Sequence, residues 1–326
     1  MGEVDPAFIQ EPEHRPRISC IEGEGIAIID LSPLHSPNGV SAFEGLVKEI
    51  GNACKDWGFF QVINHGVPLE KHQKIEKTSK RFFAQSLEEK RKVKKTEKLV
   101  LGYYDSEYTK NVRDWKEVFD FIIEEPTLFP NSHEASNDKE LVGWTNQWPE
   151  YPPEFRETCQ EYIQEMEKLA FKLMELVALS LGLPADRFNG FLKDQDSGAV
   201  TILGEDGVPG LEVKRRKNGE WVRVKHIPDA YIINIGDKIK VWSNDEYESV
   251  EHRVMVNSEK ERYSYPFFLL PALSTVVEPL EELTNEQNPA KYRAYNWGEF
   301  ISNRNQSNYQ KQKVENLQIS DFKISE

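Results

Sequence analysis

The hydrophobic positions in the first half of the chain recur with helical spacing. Apolar side chains three and four residues apart predict amphipathic helices that begin near Ser41, Leu69 and Phe155. Ser41 and Glu44 have the spacing of a capping box at the start of the first helix, and Gly58 is placed to end it. The first half is therefore predicted to be mainly a layer of helices.

Short apolar runs predict strands instead. Ile26–Leu31 and Phe59–Ile63 flank the first predicted helix, and the second run leads into a turn at residues 64–66. After about residue 197 such runs follow one another closely, with a hairpin turn signal at Asn218-Gly219. The predicted strands in this part are 199–203, 211–215, 220–225, 230–235, 239–243, 252–256 and 263–270. Many short strands in succession indicate a sandwich or barrel.

Three side chains in the last two predicted strands carry candidate chemistry. Arg262 and Ser264 are two residues apart, so on a strand they face the same way and are able to hold one small carboxylate together. His252 lies one predicted strand earlier and is a candidate metal ligand. This combination predicts a metal site beside a carboxylic-acid cosubstrate site.

Composition narrows the class of partner. The 326 residues carry a net charge of −14, which argues against nucleic acid as a partner because phosphate binding needs a basic surface. No apolar run approaches the length of a membrane span, so we expect no membrane partner. The three scattered cysteines suit a reducing compartment, and we expect a cytoplasmic monomer that binds a small-molecule substrate.

The order of several motifs resembles that of the plant iron(II)- and 2-oxoglutarate-dependent dioxygenases, of the flavonol synthase and gibberellin oxidase type. The resemblance spans nearly the whole chain. It rests on residues 28–31, 57–67, 210–213, 234–237, 242–244 and 251–254, followed by Arg262-x-Ser264 and residues 266–268.

The resemblance implies an α+β fold. Its core would be a double-stranded β-helix (jelly roll) with an N-terminal helical layer. We expect a dioxygenase region over residues 1–192 and a jelly-roll domain with a C-terminal tail over residues 193–326. The implied cofactors are Fe(II) and 2-oxoglutarate as cosubstrate, with ascorbate as a further candidate. The implied activity is oxidation of a small plant metabolite.

Carried over residue by residue, the resemblance makes Arg262 and Ser264 the 2-oxoglutarate clamp and His252 an iron ligand. The family's first iron histidine and carboxylate form a His-x-Asp pair ahead of a strand such as 199–203. Here Asp196 falls at the carboxylate position and Asp194 at the histidine position. The family's upstream Asn-x-Tyr-Pro segment has no counterpart. We therefore expect a missing internal segment, an incomplete jelly roll, little oxygenase activity and weak iron binding.

Three functional hypotheses follow from this sequence. The first is a 2-oxoglutarate dioxygenase by descent, impaired in this chain. The second is a catalytically inactive pseudoenzyme or splice form that acts as a binding or regulatory protein. The third is a relative of the family members that oxidise their substrate directly with iron and oxygen. The sequence does not identify the substrate.

Overall fold

A computed structural model of the chain describes residues 5–12, 15, 20–22, 25–35, 39–96, 99–109, 112–123, 127–130, 141–192, 199–301 and 317–324. Within these ranges no helix combines the length and the apolar character that crossing a membrane requires.

Helices and strands alternate along the chain. The helices are α1 (Val40–Asp56), α2 (Leu69–Phe83), α3 (Leu87–Arg91), α4 (Phe155–Ser180), α5 (Asn189–Leu192) and α6 (Asp237–Trp242). The first nine strands are β1 (Cys20–Glu22), β2 (Ala27–Asp30), β3 (Phe59–Ile63), β4 (Gly102–Tyr104), β5 (Tyr108–Thr109), β6 (Val112–Arg113), β7 (Val118–Asp120), β8 (Thr127–Pro130) and β9 (Leu141–Trp144). The remaining strands are β10 (Val200–Glu205), β11 (Leu211–Lys214), β12 (Trp221–Arg223), β13 (Tyr231–Ile235), β14 (His252–Val254), β15 (Ser264–Leu269), β16 (Val276–Val277) and β17 (Tyr295–Asn296).

Two sheets form the centre of the molecule. The larger sheet has the order β15-β10-β13-β3-β2, and the smaller sheet has the order β1-β12-β11-β14. Of strands β10 to β15, the larger sheet takes β10, β13 and β15 and the smaller sheet takes β11, β12 and β14, and β10 pairs antiparallel with both β13 and β15. This is the jelly-roll arrangement expected from the sequence, and the α+β fold class is confirmed.

Helices cover one face of the larger sheet. Helix α4 packs against α1, α2, β10 and β15, and the apolar stripe predicted for it is buried. A second, smaller core lies between the two sheets, where Phe59 and Ile232 of the larger sheet meet apolar residues of the smaller one. The fold is thus a helical layer, a five-stranded sheet and a four-stranded sheet.

The turn after α1 requires a glycine at position 58. Gly58 has a φ of +62°, and a Cβ at this position would lie 2.1 Å from the carbonyl oxygen of Glu248. A side chain is excluded by both the left-handed backbone and the close approach. The next residue begins β3, so this turn directs the chain from the helical layer into the sheet.

Two local predictions are wrong. Residues 239–243, predicted as a strand, belong mainly to α6, whose Trp242 stacks on Phe188 and Phe191. A short apolar run has no periodicity that separates a buried helix from a buried strand. The capping box at Ser41 is also not formed, because α1 begins at Val40 with Gly39 as its N-cap and no side-chain cap.

The segment between α3 and α4 holds strands that the hydrophobic pattern did not indicate. Hairpins of very short strands pair β4 with β7, β5 with β6 and β8 with β9. Tyr103 and Phe119 stand opposite one another in the first hairpin; Tyr103 is fully buried and Phe119 packs against the core. Aromatic residues of this segment therefore serve packing, except Trp115, which is 53 % exposed.

The larger sheet crosses the predicted boundary between residues 192 and 193. Its strands β2 and β3 come from the first part of the chain, and β10, β13 and β15 come from the second. The predicted division into 1–192 and 193–326 stays a prediction about sequence regions. Near the C-terminus, Tyr295, Trp297 and Phe300 are buried against the body.

Candidate functional site

Arg262 and Ser264 lie beside a carboxylate at the end of the larger sheet. Ser264 begins β15 and pairs directly with Glu205, the last residue of β10. Arg262 Nη2 donates to Glu205 Oε2 at 3.0 Å. Cross-strand partners point to the same side of a sheet, so the guanidinium, the carboxylate and the serine side chain share one face.

The position of Arg262 depends on a glycine in the facing sheet. A Cβ on Gly210, next to β11, would lie 3.2 Å from Arg262 Cδ and 3.1 Å from the Met255 carbonyl oxygen. The arginine side chain is only 11 % exposed, and its buried Nε has no hydrogen-bond partner among the described residues. A guanidinium carries five N–H groups in a rigid fork, so Arg262 keeps donor capacity beyond its bond to Glu205.

His252 begins β14 and stands opposite Val213 of β11. Val213 is fully buried between the sheets, so the imidazole is on the inner side of the smaller sheet, with its ring 5.3 Å from that of Phe59. The side chain is open to solvent because β14 is an edge strand. The surrounding protein lowers the pKa of His252, chiefly by reducing its hydration, which favours the neutral ring that a metal needs.

The other predicted iron ligand is not placed. Asp196, together with Asp194 at the position of the family histidine, lies outside the described residues. Within the described ranges, no three His, Cys, Asp or Glu side chains converge as a metal site. His252 alone does not fit the two-histidine, one-carboxylate set that holds non-haem iron. We therefore derive no chemical step through a metal.

Sequence reasoning missed two residues of this site. Glu205 follows Thr201 and Leu203 at alternate positions of β10, so the three side chains face the same way. A carboxylate at the end of this inward-facing series was the sequence signal that could have identified Glu205 as a site residue. His226 follows the predicted strand 220–225 in a segment typical of a turn, but its Nδ1 lies 3.5 Å from Glu205 Oε1. Only the register of β10 and β15 brings these groups to Arg262.

A separate groove lies on the helical side of the molecule. It has a volume of about 590 Å³ between the 3₁₀ turn Ser32–His35, the start of α1 and the side of α4. Leu34, Phe43 and Leu169 form its apolar wall. None of the predicted site residues lines it, so we do not connect it with the carboxylate site.

Family models and similar proteins all point to one protein family. The model described as "non-haem dioxygenase in morphine synthesis N-terminal" matches residues 26–151, and the model of the 2OG-Fe(II) oxygenase superfamily matches residues 179–271. Protein DMR6-LIKE OXYGENASE 2 of Arabidopsis thaliana is 32 % identical over 336 residues, covering 92 % of this chain and 90 % of that protein. A flavonol synthase/flavanone 3-hydroxylase of Eustoma exaltatum subsp. russellianum is 33 % identical, covering 91 % and 92 %.

Solved structures share the fold. The crystal structure of JOX2 in complex with 2OG, Fe and JA superposes with a TM-score of 0.73 at 29 % identity, covering 93 % of this chain and 89 % of that one. The dioxygenase for auxin oxidation of rice has a TM-score of 0.67 at 24 % identity, covering 92 % and 100 %, and supports the fold alone.

Proposed function

We propose a function on one premise: this chain belongs to the 2OG-Fe(II) oxygenase superfamily, the iron(II)- and 2-oxoglutarate-dependent dioxygenases. These proteins are oxidoreductases, and their cofactors are iron(II) and the cosubstrate 2-oxoglutarate. We propose that this chain is an oxygenase of small plant metabolites by descent, with a retained carboxylate clamp and an impaired iron centre. The observation that carries the proposal is Arg262 beside Ser264 on one sheet face, while the described residues bring no three possible metal ligands together.

We assign the roles as follows. Arg262 and Ser264 hold the distal carboxylate of 2-oxoglutarate, the arginine by charge-assisted hydrogen bonds. His252 and Asp196 are the remaining metal ligands. Two ligands bind a divalent metal weakly, because each missing ligand removes both bond energy and control of geometry.

The open edges of the two sheets support the impairment. Jelly rolls typically have about eight strands, and the described residues from 199 onwards contribute six to the two sheets, β10 to β15. Strands β14 and β15 end their sheets. Phe268 is 57 % exposed and Val254 is 54 % exposed, although their cross-strand partners Thr201 and Leu211 place both on the inner faces. One missing strand beside each edge would cover these side chains.

The length of the alignment is also consistent with a missing segment. The match to Protein DMR6-LIKE OXYGENASE 2 extends over 336 residues, whereas 92 % of 326 is about 300 residues of this chain. The relative therefore contributes positions that this chain lacks. We propose that part of them belongs before residue 196, where the family's His-x-Asp pair is expected.

A second candidate function follows from the same observation. With His252 as the one described residue at a family iron-ligand position and no three-ligand group in the described ranges, the chain would serve as a pseudoenzyme or splice form that binds a small carboxylate without turning it over. A third candidate, direct oxidation by iron and oxygen without a keto acid, requires a complete metal site and is less well supported by these residues.

The relatives guide the remaining proposals. The flavonol synthase/flavanone 3-hydroxylase and the structure of JOX2 in complex with 2OG, Fe and JA support a substrate among small plant metabolites. We propose that the protein acts as a cytoplasmic monomer. Ascorbate remains a candidate additional cofactor.

The experiment is an anaerobic titration of the purified full-length chain with iron(II), followed by measurement of succinate released from 2-oxoglutarate in air. We expect weak iron binding and little succinate. A chimera in which residues 193–196 are replaced by the corresponding segment of Protein DMR6-LIKE OXYGENASE 2 should bind iron tightly and release succinate. His252→Ala in that chimera is the matched control and should abolish both.

The outcomes separate the three candidates. Stoichiometric iron binding with steady succinate release by the unaltered chain would show that the iron centre is intact. Iron-dependent oxygen consumption without succinate release would favour direct oxidation. Binding of 2-oxoglutarate with neither activity would favour the pseudoenzyme.

A further inference from the structure

The clamp arginine already has a carboxylate partner within the chain. Glu205 and Arg262 are 7 % and 11 % exposed, and their charged groups meet at 3.0 Å. Ion pairs with this little solvent are screened far less than surface pairs. A carboxylic ligand that approaches Arg262 therefore meets a guanidinium whose charge is already balanced.

The contact between Glu205 and Arg262 leaves part of the arginine fork unused. Glu205 accepts from Nη2, while the buried Nε has no partner among the described residues. A ligand carboxylate that binds a guanidinium in the usual bidentate manner takes two neighbouring N–H groups. If it uses Nε and Nη2, it shares Nη2 with Glu205, and two carboxylates of like charge then meet on one guanidinium.

His226 is an alternative partner for the Glu205 carboxylate. His226 Nδ1 lies 3.5 Å from Glu205 Oε1, on the other oxygen from the one that binds Arg262. The imidazole is 39 % exposed and packs against Gly207, where a Cβ would lie 3.2 Å from Nε2. A small rotation of the carboxylate would release Arg262 without stranding Glu205 among apolar groups.

We propose that Glu205 is an internal competitor for Arg262, whose negative charge beside the clamp lowers the affinity for a dicarboxylate. This inference rests on the proposed role of Arg262 and Ser264. A neutral side chain at position 205 removes the competing charge and the like-charge repulsion with the ligand. We expect at least about tenfold tighter dicarboxylate binding, since giving up a charge-assisted hydrogen bond is worth a factor of this order.

The test measures binding without a metal. The full-length chain, in the presence of a chelator, is titrated with glutarate and with 2-oxoglutarate by calorimetry and by ligand-observed NMR. Glutarate has both carboxylates but no keto group, so its binding reports on the clamp rather than on metal chelation. The variants are Glu205→Gln, Glu205→Ala and Arg262→Gln, each checked for folding by its thermal unfolding transition.

Asp206→Asn is the matched control. Asp206 is the next residue, its side chain is 3 % exposed, and it accepts from the Val208 N–H without an interaction with Arg262. Asparagine keeps an oxygen acceptor for the Val208 N–H, so this variant removes one buried negative charge near the clamp and leaves the ion pair between Glu205 and Arg262 intact. Its affinity for glutarate should change by less than about threefold, because a charge that does not contact the clamp arginine acts only through the weaker long-range field.

The results separate this inference from the proposed function. Tighter binding in Glu205→Gln or Glu205→Ala, with loss of binding in Arg262→Gln, supports both. Unchanged or weaker binding in the two Glu205 variants, with loss of binding in Arg262→Gln, overturns the competition but is consistent with the clamp. Binding that does not depend on Arg262, or no binding by any variant, overturns the clamp and the competition together.

Discussion

Phe267 and Phe268 are adjacent on β15 and test whether the inner face of the larger sheet is open. Phe267 is 6 % exposed and belongs to the core under the helices, whereas Phe268 is 57 % exposed on the face towards the smaller sheet. We expect Phe267→Ala to destabilise the chain much more than Phe268→Ala. The two substitutions remove the same atoms from neighbouring positions of one strand, so each is the control for the other.

The magnitudes follow from burial. Replacing a buried phenylalanine by alanine costs about 3–5 kcal/mol, which includes the cavity that remains. Phe268 has less than half of its surface covered, and an open site leaves no closed cavity, so transfer alone sets its cost at about 1 kcal/mol. The expected difference between the two variants is about 2–4 kcal/mol.

The assay is urea unfolding followed by tryptophan fluorescence, with the free energy of unfolding taken from the midpoint and slope of each variant. The same pair in the chimera that carries the restored segment gives a second comparison, and there the cost of Phe268→Ala should rise towards that of Phe267→Ala. If the two variants of the unaltered chain were equally destabilised, the inner face would be closed and the incomplete sandwich would be refuted.

Three other predictions concern the helical layer. Lys90 Nζ donates to both oxygens of Glu117, at 2.8 and 2.7 Å, and to the Phe83 carbonyl. Lys90→Met should therefore cost about 1–3 kcal/mol in urea unfolding. Lys92→Met, at a 59 % exposed ion pair, is the control and should leave the unfolding midpoint nearly unchanged. His65 accepts from the Val67 N–H at Nδ1 and donates to the Asp229 carbonyl, and burial lowers its pKa. Because the unfolded chain takes up the proton at higher pH than the folded one, stability should fall as the pH drops below about 6.5. His65→Gln should flatten this pH dependence of the thermal unfolding transition. Burial raises the pKa of the Cys54 and Cys159 thiols, so iodoacetamide at pH 8 should label them only after unfolding, as read by peptide mass spectrometry; rapid labelling of the native chain would contradict their burial.

The elements that the sequence predicts well are those whose burial pattern is periodic. Helix α4 has one continuous apolar stripe over 26 residues, and β10 and β15 alternate between their two faces. Periodicity is a local property, so one sequence suffices to detect it. The hairpin at Asn218-Gly219 was predictable for the same reason, since the left-handed φ of +71° at Gly219 is a local requirement of the turn.

The features that the sequence did not predict depend on partners far along the chain. A basic run such as 90–98 is typical of a solvated face, yet Lys90 is 6 % exposed, because a hairpin 27 residues away supplies Glu117 as its partner. The pairing of Glu205 with Arg262 joins residues 57 apart and follows only from the register of β10 and β15. In both cases tertiary structure pairs charges that lie far apart along the chain, which the local sequence does not reveal.

The proposed combination of a retained clamp and an impaired metal centre follows from where each site lies in the sheets. The clamp groups come from β10 and from the start of β15, and these strands pair with one another over six registered positions, Val200 with Leu269 through Glu205 with Ser264. Strand β10 is held on its other side by β13, so the clamp needs no further strand to keep its geometry. His252 lies on β14, whose outer edge is unpaired in the four-stranded sheet, and its metal partners would have to come from chain beyond that edge. The proposed loss of edge strands would therefore remove metal ligands and solvent protection while the central register, and with it the pairing of Arg262, Ser264 and Glu205, is preserved.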